Sequence, residues 1–167
     1  MYVTLEPCTH WGKTPPCTDA LIATGVRRVV YAIRDPNPEV QAKSAVAVLK
    51  AAGIVVDSGL CEAEARQTNA VYFKNREQLR PFITLKAATS LDGRIALGNG
   101  QSKYLTGPES RRAVHRLRAT CDAVLVGAET VLKDDPQLTV RSGRCPAQPL
   151  KIVLYSGLLT PEGARIF

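Results

Sequence analysis

The 167-residue sequence is poor in aromatics (5%), has one methionine and one tryptophan, and holds only two histidines. No apolar run reaches the roughly 18 residues of a membrane span, and no charged-then-apolar signal follows Met1. The sequence therefore reads as soluble and cytoplasmic. Internal repeats and low-complexity tracts are absent. Five cysteines (Cys8, Cys17, Cys61, Cys121, Cys145) are odd in number and scattered, which argues against a secreted disulfide framework. The last three have no partner at ligand spacing and read as buried or incidental thiols. The scarcity of aromatics also limits what the charge can mean. A net charge of +7 with pI near 9.4 favours anionic partners, but a nucleic-acid surface needs aromatics for bases to stack on. Small phosphates or a nicotinamide dinucleotide phosphate thus rank above nucleic acid.

What is present is globular, with 45% hydrophobic residues, and the length allows one domain or two small ones. Residues 2–5 read as a strand, 17–24 as a helix stopped by Gly25, and 26–33 as a buried valine-rich strand. Asp35-Pro36-Asn37-Pro38 reads as a turn, since neither proline can continue regular structure. A helix over 40–52, a strand over 54–56 and a longer polar helix over 62–79 complete a strand–helix alternation, which predicts a mostly parallel sheet. Near Arg80-Pro81 the texture changes. A strand is expected over 81–88, a tight turn at Ser90–Gly93, and a helix from Pro108 through Arg118 capped by Thr106 or Gly107. Strands over 122–127 and 150–155 follow, separated by a turn at Asp134-Asp135-Pro136. The boundary near 80 divides the chain into 1–80 and 81–167.

One stretch, Val3 to Cys17 (VTLEPCTHWGKTPPC), carries chemistry. A strand runs into Glu-Pro-Cys, a Gly/Pro-rich loop follows, and a second cysteine opens a helix. Two thiols bracketing a loop suit zinc, but two thiolates do not close a tetrahedral site. Zinc deaminases pair such cysteines with a further ligand and a proton-shuttling glutamate. Here the second cysteine lies nine residues after the first instead of three, and neither His10 nor His115 sits in an H-x-E motif.

Val3–Cys17 resembles the deaminase half of the bifunctional riboflavin-biosynthesis deaminase/reductase family. The resemblance continues through Asp35–Pro38 and into Leu85–Arg94, Ser102–Gly107, Gly127–Pro136 and Leu138–Arg141, which look like that family's reductase motifs. It implies an α/β chain: part of a cytidine-deaminase-like α/β/α domain (1–80), then part of a dihydrofolate-reductase-like domain (81–167). In such a fold the lack of G-x-G-x-x-G does not count against NADPH.

The resemblance also implies roles. Cys8 and Cys17 would be two of three protein zinc ligands, the Cys17 thiolate being favoured by its helix N-terminus. His10, Lys13 and Thr14 would lie by the substrate phosphate. The third ligand and the catalytic glutamate belong to a His-Ala-Glu motif that the family places upstream of Tyr2, so no catalytic residue is assigned in this chain. Glu6 reads as a backbone or base-edge acceptor. Ala88, Tyr104, Thr130, Asp134 and Ser156 fall at NADP-contacting positions; Ser102, Arg118, Leu138 and Arg141 at substrate-contacting ones. Lys86 is a candidate for orienting the sugar, Asp92-Gly93 reads as a turn, and His115 as a solvated residue on a basic helix face. The expected activities are zinc-dependent deamination of diaminohydroxyphosphoribosylaminopyrimidine and NADPH-dependent reduction of the resulting ribosylaminouracil phosphate. The chain is expected to be an internal fragment with weak or no turnover by itself and a homo-oligomer at full length. Two other readings stay open: a reductase-only protein with a degenerate deaminase half, and a basic nucleic-acid-binding or deaminating module.

Overall fold

The computed structural model describes residues 1–157 and 160–167, and the chain divides into two compact units, Met1–Leu85 and Lys86–Phe167. No helix among the described residues is long and apolar enough to cross a membrane.

In the first unit, strands β1 (Tyr2–Leu5), β2 (Arg28–Ile33) and β3 (Val55–Ser58) form a parallel sheet in the order β1-β2-β3. Tyr2 stands opposite Val30, and Arg28 opposite Val55. After Arg28, every residue of β2 is buried. A central parallel strand covered on both faces needs such a continuous apolar run, and the valine-rich sequence supplies it. Helices α1 (Cys17–Ala23), α2 (Pro38–Gln41), α3 (Ala45–Ala51), α4 (Glu62–Thr68) and α5 (Ala70–Gln78) complete the unit. Leu21, Val29, Leu49 and Ile54 make one core cluster; Ala32, Ile33, Ala65 and Phe73 make a second.

Local chemistry corrects two helices expected to be continuous. The span 40–52 is broken because Ser44 caps α3, its side chain accepting the Ala47 N–H at 3.2 Å. The span 62–79 is interrupted at Asn69, whose backbone leaves the helical range (φ −104°, ψ 23°) while its side chain donates to the Ala65 carbonyl at 2.8 Å. Gly25 does stop α1, at φ 66°.

The second unit holds α6 (Pro108–Ala119), β4 (Ala123–Gly127), α7 (Ala128–Asp134) and β5 (Leu150–Leu154), with β4 and β5 parallel and Ala123 opposite Leu150. Val131, Leu138 and Ile166 form its core, with Val124, Val126 and Val153 packed against them. Gly107 caps α6, and Pro108 fills its first turn. The strand expected over 81–88 is not formed: the segment is irregular and Leu85 is 93% exposed. A ladder needs a partner, and none pairs with this segment among the described residues. Ser90–Gly93 turns as expected, with the Gly93 N–H donating to the Ser90 carbonyl at 3.0 Å. Helix α7, unread in the sequence, occupies the Gly127–Pro136 motif and ends where Asp135 turns left-handed (φ 40°).

Candidate functional site

Helix α6 is amphipathic in an inverted sense. Its half-buried residues are Arg111, Val114, His115, Arg118 and Ala119, while the rest of the helix, Leu117 included, is exposed. The spacing i, i+4, i+7 therefore puts three basic side chains on the sheltered stripe. Arg111 lies over the Tyr104 ring at 4.4 Å from its centroid and donates to the Thr106 carbonyl at 2.8 Å. That fixes an aromatic surface at the entry to the helix.

The other two basic groups hold the segment 137–141, which belongs to no helix or strand. Arg118 Nη1 donates to the Thr139 carbonyl at 2.8 Å. Gln148 grips Val140 at both ends, accepting its N–H at 2.7 Å and donating to its carbonyl at 3.2 Å. His115 Nδ1 accepts the Arg141 N–H at 3.3 Å, and Arg141 Nη1 reaches Gln137 Oε1 at 3.1 Å. Leu138 and Val140 are buried beneath. Leu138 sits at φ 53°, a left-handed conformation that a leucine adopts only against a cost of about 1–2 kcal/mol. An irregular segment held from this many sides is a rigid backbone.

Electrostatics make this cluster unusual. Burial, then the neighbouring charge of Arg141, lowers the Arg118 pKa. Burial, followed by Arg118 and Arg141, lowers that of His115. No ion pair to Arg118 or Arg141 occurs among the described residues. Arg118, half-buried, and Arg141, exposed, lie near enough for the charge of one to bear on the other, and such a pair suits an oxyanion, which each can grip with a planar fork.

The residues expected at the cofactor and at the substrate fall in three neighbourhoods of this unit. Arg118, Leu138 and Arg141 come together around segment 137–141, although the Leu138 side chain is in the core, so only its backbone is left to offer a ligand. Thr130 and Asp134 lie on α7, directly after β4, and Ser156 lies two residues past β5. The carboxyl ends of β4 and β5 are level, Gly127 facing Leu154, which is where parallel sheets bind ligands. A Cβ added to Gly127 would meet nothing within 4 Å. Lys86 is exposed and Ala88 and Ser102 half-buried in the irregular stretch before α6. His115 is the residue that sequence reasoning missed: it is a half-buried acceptor instead of a solvated residue. Its i, i+4, i+7 spacing with Arg111 and Arg118 was the available signal.

In the first unit the two cysteines are neighbours. The Cys17 N–H donates to Cys8 Sγ at 3.3 Å, and the Thr18 N–H and hydroxyl both reach the Cys8 carbonyl. Burial is the main cause raising the Cys8 pKa. No group of three or more His, Cys, Asp or Glu side chains gathers among the described residues. Two thiols do not complete the tetrahedral site that zinc takes, so the residues present do not fit a closed zinc site. His10 Nε2 stands 3.7 Å from Glu39 Oε2, with its Nδ1 buried and unpartnered. Lys13 and Thr14 are exposed, in a loop closed by the Gly12 N–H on the Thr14 carbonyl at 3.1 Å.

Glu6 is buried, 3.6 Å from Arg34, with one carboxylate oxygen lacking a hydrogen-bond partner. Burial raises its pKa, partly opposed by Arg34. The stretch read as an Asp-Pro-Asn-Pro turn is instead the entry to α2, with Asn37 as cap and Pro38 in its first turn; Asp35 anchors it, its carboxylate accepting the Asn37 N–H and the Tyr72 hydroxyl, both at 2.8 Å. Cys61, Cys121 and Cys145 are exposed or half-buried, not core thiols.

A family model described as the RibD C-terminal domain matches residues 81–167. The riboflavin biosynthesis protein RibD of Aquifex aeolicus (strain VF5) is 52% identical over 166 residues, covering 99% of this chain and 46% of that protein. The RibD of Escherichia coli (strain K12) is 51% identical over 160 residues, covering 96% of this chain and 43% of that protein. Among solved structures, a diaminohydroxyphosphoribosylaminopyrimidine deaminase/5-amino-6-(5-phosphoribosylamino)uracil reductase from Thermotoga maritima superposes with a TM-score of 0.85. It is 42% identical, over 98% of this chain and 46% of that one. Acinetobacter baumannii RibD gives a TM-score of 0.82 at 45% identity, over 98% and 47%. The chain spans about half the length of the curated relatives it matches.

Proposed function

Because the chain belongs to the RibD C-terminal domain family, we propose that it is part of a riboflavin-biosynthesis enzyme whose second unit binds a phosphoribosyl pyrimidine for reduction. In this reading residues 81–167 are the amino-terminal part of a dihydrofolate-reductase-like reductase domain, and residues 1–80 the carboxy-terminal part of a zinc deaminase domain. The observation that carries it is the clamped segment 137–141 with two guanidiniums, Arg118 and Arg141, each hydrogen-bonded to it and without a carboxylate partner among the described residues. The Thermotoga maritima relative is named for a substrate bearing a phosphoribosyl group, and a phosphate monoester matches what this cluster lacks. Arg118 and Arg141 would neutralise the phosphate, while the backbone of Leu138 and the side chain of Ser102 would orient the sugar.

NADPH would supply the hydride. The level carboxyl ends of β4 and β5, the open approach over Gly127, and Thr130, Asp134 and Ser156 just beyond the strands fit a dinucleotide there. Tyr104, held under Arg111, would offer a ring face. No deamination step is assigned to this chain, since Cys8 and Cys17 gather no third ligand among the described residues. Titrating the chain into NADPH and following the cofactor's fluorescence tests the reading. A saturable change that Tyr104→Ala weakens severalfold is expected; a response that never saturates, or one that is the same in the variant, contradicts it.

A further inference from the structure

We infer that His115 is a positioning residue of the anion site: its neutral imidazole holds the Arg141 backbone so that Arg141 and Arg118 present their guanidiniums to one phosphate. The inference rests on the phosphate-binding reading of that cluster and adds a residue to it. The bond has a direction. The Arg141 N–H donates to Nδ1, so Nδ1 must carry its lone pair and the ring proton sits on Nε2. A protonated imidazole has no lone pair left to accept with. Among the described residues, the charges that bear on the ring are cationic: Arg118 from its own helix and Arg141 from the facing segment. Partial burial, then these two neighbours, oppose protonation and favour the acceptor state.

Geometry makes the position matter. Arg118 and His115 are one turn apart on α6, and they take successive handles on one rigid strip, the Thr139 carbonyl and the Arg141 N–H. One helix thereby sets the spacing between the two forks. Without the His115 contact, segment 137–141 keeps Gln148 and its buried leucine and valine, so the unit stays folded while Arg141 loses its register.

The test uses the whole chain and sulfate as the probe, because sulfate does not titrate in the range of interest. Sulfate affinity is measured by nuclear magnetic resonance or calorimetry in the wild type, His115→Leu and His115→Asn. Asparagine can place an amide oxygen where Nδ1 accepts; leucine cannot. Loss of a hydrogen bond predicts a drop of roughly five- to tenfold in affinity for His115→Leu, with His115→Asn close to the wild type. The second readout is pH. Wild-type sulfate binding should weaken as pH falls through the His115 titration, followed on its own ring resonance, while His115→Asn shows no such fall.

Unchanged affinity in His115→Leu, failure of asparagine to restore it, or binding that strengthens as the imidazole becomes charged would each overturn the positioning role. The last would mean that the ring touches the anion itself. These outcomes leave the phosphate-binding reading standing. Absence of any saturable sulfate binding in the wild type would overturn both.

Discussion

Glu6 and His115 carry opposite pH signatures, and both follow from burial. Burial raises the folded-state pKa of Glu6 above its ordinary value of 4.5. Its contribution to stability is therefore complete below that value and is lost as pH rises through the folded pKa. Glu6→Gln keeps the size and cannot ionise, so it should stabilise the first unit at pH 7 and lose that advantage below pH ~4. Urea unfolding at the two pH values checks this; an equal effect at both contradicts it. His115 has a lowered pKa, so its contribution is complete above the ordinary 6.5 and falls away as pH drops through the depressed folded pKa. Tyr72 is a third test. Its hydroxyl donates to the buried Asp35 carboxylate, and Tyr72→Phe should cost about 1.5–3 kcal/mol in denaturant unfolding; no change would show that the bond is not made. The sequence made the break after β2 at Asp35-Pro36 readable, because proline states its constraint in one letter, but not that Pro38 opens α2 under an Asn37 cap. It hid His115, Glu6 and Tyr72, whose roles depend on what packs against them.

At the scale of elements, strands with apolar runs were readable and interruptions were not. β2 and β4 lie within the limits their valines set; for β2, a buried parallel strand leaves little other choice for such residues, while β4 is only half-buried. The breaks at Ser44 and Asn69 went unseen because each depends on one side chain competing with the helix for backbone groups. The run 81–88 has strand composition but no ladder partner among the described residues, and composition alone does not make a strand. Leu49 of α3, fully buried against Val29 and Ile54, is the element-scale test. Leu49→Ala should destabilise the first unit by about 2–5 kcal/mol in chemical denaturation; a cost near zero would mean that α3 does not seal this core.

At the scale of the whole molecule, two units with separate cores carry unequal shares of chemistry. The first brings Cys8 and Cys17 together but gathers no third donor among the described residues. Purified chain should accordingly retain well under one equivalent of zinc after dialysis, by elemental analysis, and a full equivalent would contradict this account of the thiols. The second unit gathers two guanidiniums around a rigid backbone strip, in a chain of net charge +7. In the proposed function this strip binds the phosphate of a phosphoribosyl group. Calorimetric titration with ribose 5-phosphate at low salt, using wild type, Arg118→Ala and Arg141→Ala, tests it most directly. Saturable one-to-one binding that weakens at least about tenfold in each variant is the predicted result, given what a charge-assisted contact is worth. No saturable binding in the wild type, or equal affinity in all three proteins, would contradict it.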